Sequence, residues 1–323
     1  MRPPGAASTH VDQCLGEANT ASVRGGSSPP AAGGAIIEPG HLWEREDVMS
    51  GIKSILVHLD ASSHCEARLQ VARSLAEQHD ADVAALFGAV PRALQFPYAE
   101  GMSSQLMGEL NTLDESRRAD AKAIFDKAVS GGLRRATWLD PIEAISLRDF
   151  SRLALFSDLV VLAQRQRDQF ADSGVPGDFV ETVLIDSGKP VLLVPYIGVR
   201  GSVGRSIVVA WKETRETARA VSAAMPLLQK AERVHVATWG REREGRHDDL
   251  LAHLRRHGVE ATPHHYGDEP GDIGAYILSA AADLNADMLV MGGYGHSRAR
   301  EWVLGGATRT ILESMTVPVL MSH

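Results

Sequence analysis

The chain has 323 residues, 44% apolar and 23% charged, the balance of a soluble globular protein long enough for two domains. Its formal net charge of −8 argues against a broad electrostatic grip on nucleic acid, and no apolar run reaches the about 18 residues that a membrane span needs. Two cysteines, Cys14 and Cys65, form no CxxC and no Cys/His metal spacing, and residues 1–25 lack a secretory leader pattern, so a cytoplasmic protein without membrane contact is expected.

Residues 1–48 are rich in Gly, Ala, Pro and Ser and are expected to form a disordered extension, because such a segment buries too little apolar area to offset its ordering entropy. It is either a genuine tail or a stretch upstream of a true start at Met49. From residue 52 the pattern alternates strand and helix. Strand Ile52–Leu59 leads through Ser62 or Ser63, as a cap, into helix Glu66–His79. Strand Asp82–Val90 comes next. A long loop over Pro91–Asn111 is predicted to serve local packing or a partner. Helix Leu113–Ser130 stops at Gly131-Gly132. Strand Arg135–Leu139, helix Ile142–Leu155, strand Asp158–Ala163, helix Asp178–Ser187 and strand Val191–Pro195 complete the first half.

After the connector Ile197–Gly204 the same order recurs. It runs through strand Arg205–Trp211, helix Thr214–Lys230, strand Arg233–Thr238, helix Asp248–His257 and strand Glu260–Tyr266. Helix Ile273–Leu284, strand Asp287–Met291, helix Ala307–Ser314 and strand Val319–Ser322 follow. His264 and His265 fall on one strand, where alternation sends them to opposite faces, so they are not expected to share a metal.

Direct comparison supports a repeat. Ile55-Leu56-Val57-His58-Leu59-Asp60 parallels Ile207-Val208-Val209-Ala210-Trp211-Lys212, and Asp158-Leu159-Val160-Val161-Leu162 parallels Asp287-Met288-Leu289-Val290-Met291. Lys189-Pro190-Val191-Leu192-Leu193 likewise parallels Val317-Pro318-Val319-Leu320-Met321. The reading is α/β: two tandem, doubly wound, five-stranded parallel-sheet domains of Rossmann-like type, over residues 49–198 and 203–323.

Open α/β sheets bind ligands beyond the carboxyl ends of their strands. Gly292, Gly293 and Gly295 stand where the ninth strand ends, and Gly305-Gly306 stands just before the helix beginning at Ala307. Glycines let backbone N–H groups approach a ligand, and a helix N-terminus suits phosphate. Glycines at such turns also serve tight packing alone, and neither a Walker loop nor a dinucleotide fingerprint is present.

The spacing Gly292-x2-Gly295, nine residues His296–Leu304, then Gly305, resembles the ATP-binding motif of the universal stress protein family. Ala286-Asp287-Met288-Leu289-Val290-Met291, the tail Thr316–Met321 and the turn Gly267-Asp268 resemble that family too. The likeness covers about residues 52–196 and 205–323 and is stronger in the second half. It implies a tandem universal stress protein whose last strands pair into an internal pseudo-dimer. It also implies ATP, or another adenine nucleotide, bound by Gly292, Gly293, Gly295, His296, Gly305, Gly306, Ala307 and Thr308. Magnesium would enter only with the nucleotide. The expected partners are this nucleotide and an unidentified protein, with no nucleic acid, in a monomeric pseudo-dimer or a homodimer.

Two departures stand against the motif. Gly306 replaces a Ser or Thr, leaving Thr308 to add a hydroxyl. Lys212 replaces the family's strand-end Asp, so it offers charge to phosphate but accepts no hydrogen bond. The first half shows the reverse: Asp60 is kept, whereas Ala163-Gln164-Arg165-Gln166 stands in place of the glycine loop and only Gly177 survives. That half is expected not to bind ATP in the family manner. No catalytic constellation is present, so a binding protein with at most slow ATP hydrolysis is expected. A nucleotide-free scaffold of the same fold is the alternative.

Overall fold

The computed structural model describes residues 51–60, 62, 64–96, 101–139, 147–164, 173–199, 201–240, 246–267, 271–293 and 306–323. They belong to one unit, Met49–His323. The expected disordered extension lies outside the described residues.

In the first half, strands β1 (Ser54–Leu59), β2 (Asp82–Phe87), β3 (Ala136–Leu139), β4 (Leu159–Ala163) and β5 (Val191–Val194) alternate with four helices. These are α1 (Cys65–His79), α2 (Ser104–Ser130), α3 (Leu147–Ala154) and α4 (Phe179–Asp186). The second half repeats the scheme with β6 (Ser206–Ala210), α5 (Arg215–Leu228), β7 (Arg233–Thr238), α6 (Arg246–Arg256) and β8 (Thr262–His265). It continues with α7 (Ile273–Asp283), β9 (Met288–Gly292), α8 (Gly306–Ser314) and β10 (Val319–Ser322).

All ten strands join one sheet in the order β3-β2-β1-β4-β5-β10-β9-β6-β7-β8. Every pairing is parallel except β5 with β10, where Val319 faces Leu193 and Met321 faces Val191 in antiparallel register. The expected pairing of the two last strands is therefore present within one chain. Two hydrophobic cores run the length of the sheet, one on each face. Helices α1, α2, α5 and α6 cover one, with Leu192 and Leu320 at the seam. Helices α3, α4, α7 and α8 cover the other, with Leu193 and Met321 at the seam.

The aspartates that marked the repeat have matching structural roles. Asp158 Oδ2 accepts from the Lys53 and Ser54 N–H groups at 2.9 Å each. Asp287 accepts from the N–H groups of Gly204 at 2.9 Å and Ser206 at 3.1 Å. Each carboxylate ties the start of one central strand to the start of its neighbour.

The structure corrects the loop over Pro91–Asn111. A 3-10 turn spans Arg92–Gln95, and α2 begins at Ser104, nine residues before the predicted Leu113. Ser103 caps it by accepting from Leu106 N–H at 3.2 Å, and Leu110 is buried. Gly108 and the polar surface of this helix hid its start. The cap expected of Ser62 is also corrected, and the alternative, Ser63, lies outside the described residues. Position His64 precedes α1 without a side-chain cap, and Ser62 instead donates to Asp60.

Candidate functional site

The switch point of the second half lies between β6 and β9, where the strand order reverses. After β6 the chain turns through Lys212, which is exposed and whose carbonyl accepts from Thr214 N–H at 2.7 Å. Thr214 caps α5, its hydroxyl accepting from Thr217 N–H at 3.3 Å. Glu216 is buried in the first turn of this helix. Burial alone would raise its carboxyl, but hydrogen bonds from its own N–H and from Thr214, with the charge of Arg215, hold it below the usual range.

The two described loop glycines are packing positions. A Cβ on Gly292 would fall 2.6 Å from Thr217 N and 2.8 Å from Glu216 C, so the glycine lets β9 end against the first turn of α5. A Cβ on Gly293 would fall 2.8 Å from Leu184 Cδ2 of the first half. The Gly293 N–H donates to Ser322 O at 2.9 Å. The expectation that Gly293 offers this N–H to phosphate is therefore corrected: β10 already takes it.

The other glycine element differs. Among the described residues, nothing lies within 4 Å of a Cβ built on Gly306 at the start of α8. Ala307 is half-buried and Thr308 is 5% exposed, so the Thr308 hydroxyl belongs to a side chain packed inward. Beside them, Asp272 caps α7 by accepting from Ala275 N–H at 3.2 Å, and Gly274 lets α7 approach the Ala307 carbonyl. Gly295, His296 and Gly305 lie outside the described residues.

Residues 210–323 match the model of the universal stress protein family. The second half is a universal stress protein domain. The whole fold is similar to a universal stress protein from Archaeoglobus fulgidus DSM 4304, 18% identical, covering 83% of this chain and 94% of that one with a TM-score of 0.65. A putative universal stress protein from Pseudomonas aeruginosa UCBPP-PA14 is 16% identical over 83% of this chain and 92% of its own, with a TM-score of 0.52. No curated protein matches the chain. The first half thus shares the universal stress protein fold, while the family model matches only the second.

In the first half the corresponding strand end is filled from within. Asp60 accepts from Arg68 Nη2 at 2.6 Å and from the Ser62 N–H and hydroxyl at 2.9 and 2.5 Å. Arg68 is fully buried and Asp60 is 4% exposed. Burial opposes the charge on Asp60, but the Arg68 guanidinium holds its carboxyl well below the usual carboxylate range. The Cys65 thiol sits 2.9 Å from Arg68 Nη2 and donates to the Asp60 carbonyl at 2.8 Å. Burial raises this thiol to about 11, so it is protonated and unreactive at neutral pH. His58 pairs with the Gly88 carbonyl at 2.6 Å and packs against Phe179, with ring centroids 4.4 Å apart. Burial, then the charge of Arg68, lowers His58 to about 4, so it is neutral.

Helix α2 closes this cleft further. Arg117 donates to the Ser173 carbonyl, and Val90 N–H donates to Gly174 O at 2.8 Å. These bonds hold the segment that leads into α4. The cavity left beside Asp60, Arg68, Gln164 and Gly177 is about 50 Å³. That volume suits a few waters, against the roughly 300–1,000 Å³ of small-molecule sites.

Sequence reasoning missed Arg68, Cys65 and His58. A signal was available: Cys65, Arg68, Leu69 and Ala72 follow the i, i+3, i+4, i+7 spacing of a buried helix face, which marks an arginine aimed inward. Among the described residues no group of three or more His, Cys, Asp or Glu could hold a metal ion, and no helix is long and apolar enough to cross a membrane. His264 meets His235 across β7 and β8, with ring nitrogens 3.0 Å apart.

Proposed function

We propose that the second half binds one adenine nucleotide, ATP or a relative of it, and that the chain acts in a cytoplasmic stress response through a protein partner. The observation that carries this reading is the spacing Gly292-x2-Gly295-x9-Gly305 at the carboxyl end of β9, inside a universal stress protein domain. Gly306 supports it, because α8 begins there and a helix N-terminus suits phosphate. The N–H groups of Gly306, Ala307 and Thr308, together with those of Gly295, His296 and Gly305, would meet the phosphates. Gly292 and Gly293 would shape the loop rather than donate. Lys212, at the neighbouring strand end, would add positive charge, and magnesium would come only with the nucleotide. The protein would work by binding, with hydrolysis slow or absent.

The first half stays empty in this reading. The oxygens of Asp60 are engaged by Arg68 and Ser62, and the adjoining cavity is too small for a nucleoside. Equilibrium titration of ATP into the purified full chain tests the assignment. Submillimolar binding lost in Gly295→Leu supports it, and binding that survives this substitution overturns it.

A second reading, a nucleotide-free scaffold, is favoured by Lys212 and by the engaged Gly293 N–H. Denaturing the purified protein and finding no released nucleotide, together with no ATP binding, would select it.

A further inference from the structure

We infer that Gln164 of the first half is a positioning residue for α8, the helix whose N-terminus would meet phosphate in the second half; its bearing on ligand affinity rests on that reading of the site.

Gln164 is to β4 what Gly293 is to β9. Its N–H donates to Val194 O at 2.8 Å, as Gly293 N–H donates to Ser322 O at 2.9 Å. The side chain is 3% exposed and crosses the β5–β10 seam. Nε2 donates to the Leu312 carbonyl at 3.1 Å, and Oε1 accepts from Tyr196 N–H at 3.0 Å. A carbonyl on one side and an N–H on the other admit one orientation of the amide.

Leu312 lies in the last turn of α8, where carbonyls lack an intrahelical partner. Gln164 supplies the missing donor from the other half of the molecule. At about 1.5 Å per residue, α8 is only about 13 Å long, so fixing its C-terminal turn also fixes its first turn.

The grip runs one way. At the pseudo-symmetric position Gly293 has no side chain to reach α4, and Leu184 occupies the space a Cβ would need. The half that lost its glycine loop thus placed a glutamine where it anchors the half that kept one.

The test compares hydrogen exchange in the nucleotide-free full chain and its Gln164→Met variant, with Leu75→Ala as a control that creates a cavity in α1, where Leu75 is fully buried. We expect α8 amides to exchange about five- to tenfold faster in Gln164→Met, because, of its two lost side-chain bonds, the one to Leu312 holds α8, and not in Leu75→Ala. ATP affinity should fall by about the same factor in Gln164→Met and stay unchanged in Leu75→Ala. If Gln164→Met does not fold, Gln164→Ala takes its place. Unchanged α8 exchange overturns the inference, as does an equal affinity loss in both variants. Faster α8 exchange in a protein that binds no ATP upholds the positioning role and overturns the nucleotide reading alone.

Discussion

Arg68→Met isolates the feature that closes the first half. The arginine is fully buried and its partner Asp60 is 4% exposed, so the substitution leaves a carboxylate inside the protein with Ser62, Cys65 and the neutral His58 as its described neighbours. Breaking a buried ion pair from one side costs about 3–5 kcal/mol, because the remaining charge keeps its desolvation penalty without compensation. Methionine restores most of the apolar volume, so little of the loss should come from a cavity. The double variant Asp60→Asn/Arg68→Met removes both charges and should recover more than half of the loss. The sign with pH follows from the same residue. In wild type Asp60 is held below its unfolded value, so the pair stabilises at neutral pH. In Arg68→Met its folded value rises above the unfolded one. The variant is then least impaired in acid and loses stability as pH rises through the new value. Urea unfolding at pH 4 and pH 7 reads both effects. A loss under about 1 kcal/mol at pH 7, or a double variant no better than the single, would refute the ion-pair argument.

Two further outcomes follow from single sites. His58, lowered to about 4 from 6.5, should cost about 3 kcal/mol of stability as pH falls from 6.5 through 4, at about 1.4 kcal/mol per tenfold change in proton activity; acid unfolding of His58→Phe should show a shallower decline over that window. Gly292→Ala should destabilise by about 1–3 kcal/mol, since its methyl would meet backbone atoms of α5 at 2.6–2.8 Å; thermal unfolding equal to wild type would show that α5 yields at no cost.

Much of the fold was legible because strand spacing and the Asp158/Asp287 repeat are local signals with one structural outcome. The repeated apolar ending showed two matching last strands, and their pairing as β5 with β10 was implied by the family resemblance. The start of α2 was hidden because Gly108 and an exposed polar surface weaken the helical pattern. The site was less legible than the fold. Gly292, Gly293 and Gly306 look alike in sequence, yet the first meets α5, the second meets Leu184 from the other half, and a Cβ on the third meets none of the described residues. Only the folded chain brings those neighbours together. Asp60 stood out only as the strand-end aspartate that the first half keeps, because its partner Arg68 reaches it from a helix face, and an arginine pattern alone does not name its carboxylate.

Stoichiometric titration of ATP into the full chain tests the central claim most directly. One nucleotide per chain, bound at submillimolar concentration and lost in Gly295→Leu while Arg68→Met leaves it intact, is the predicted result. Two nucleotides per chain, or one that persists in Gly295→Leu, would contradict it.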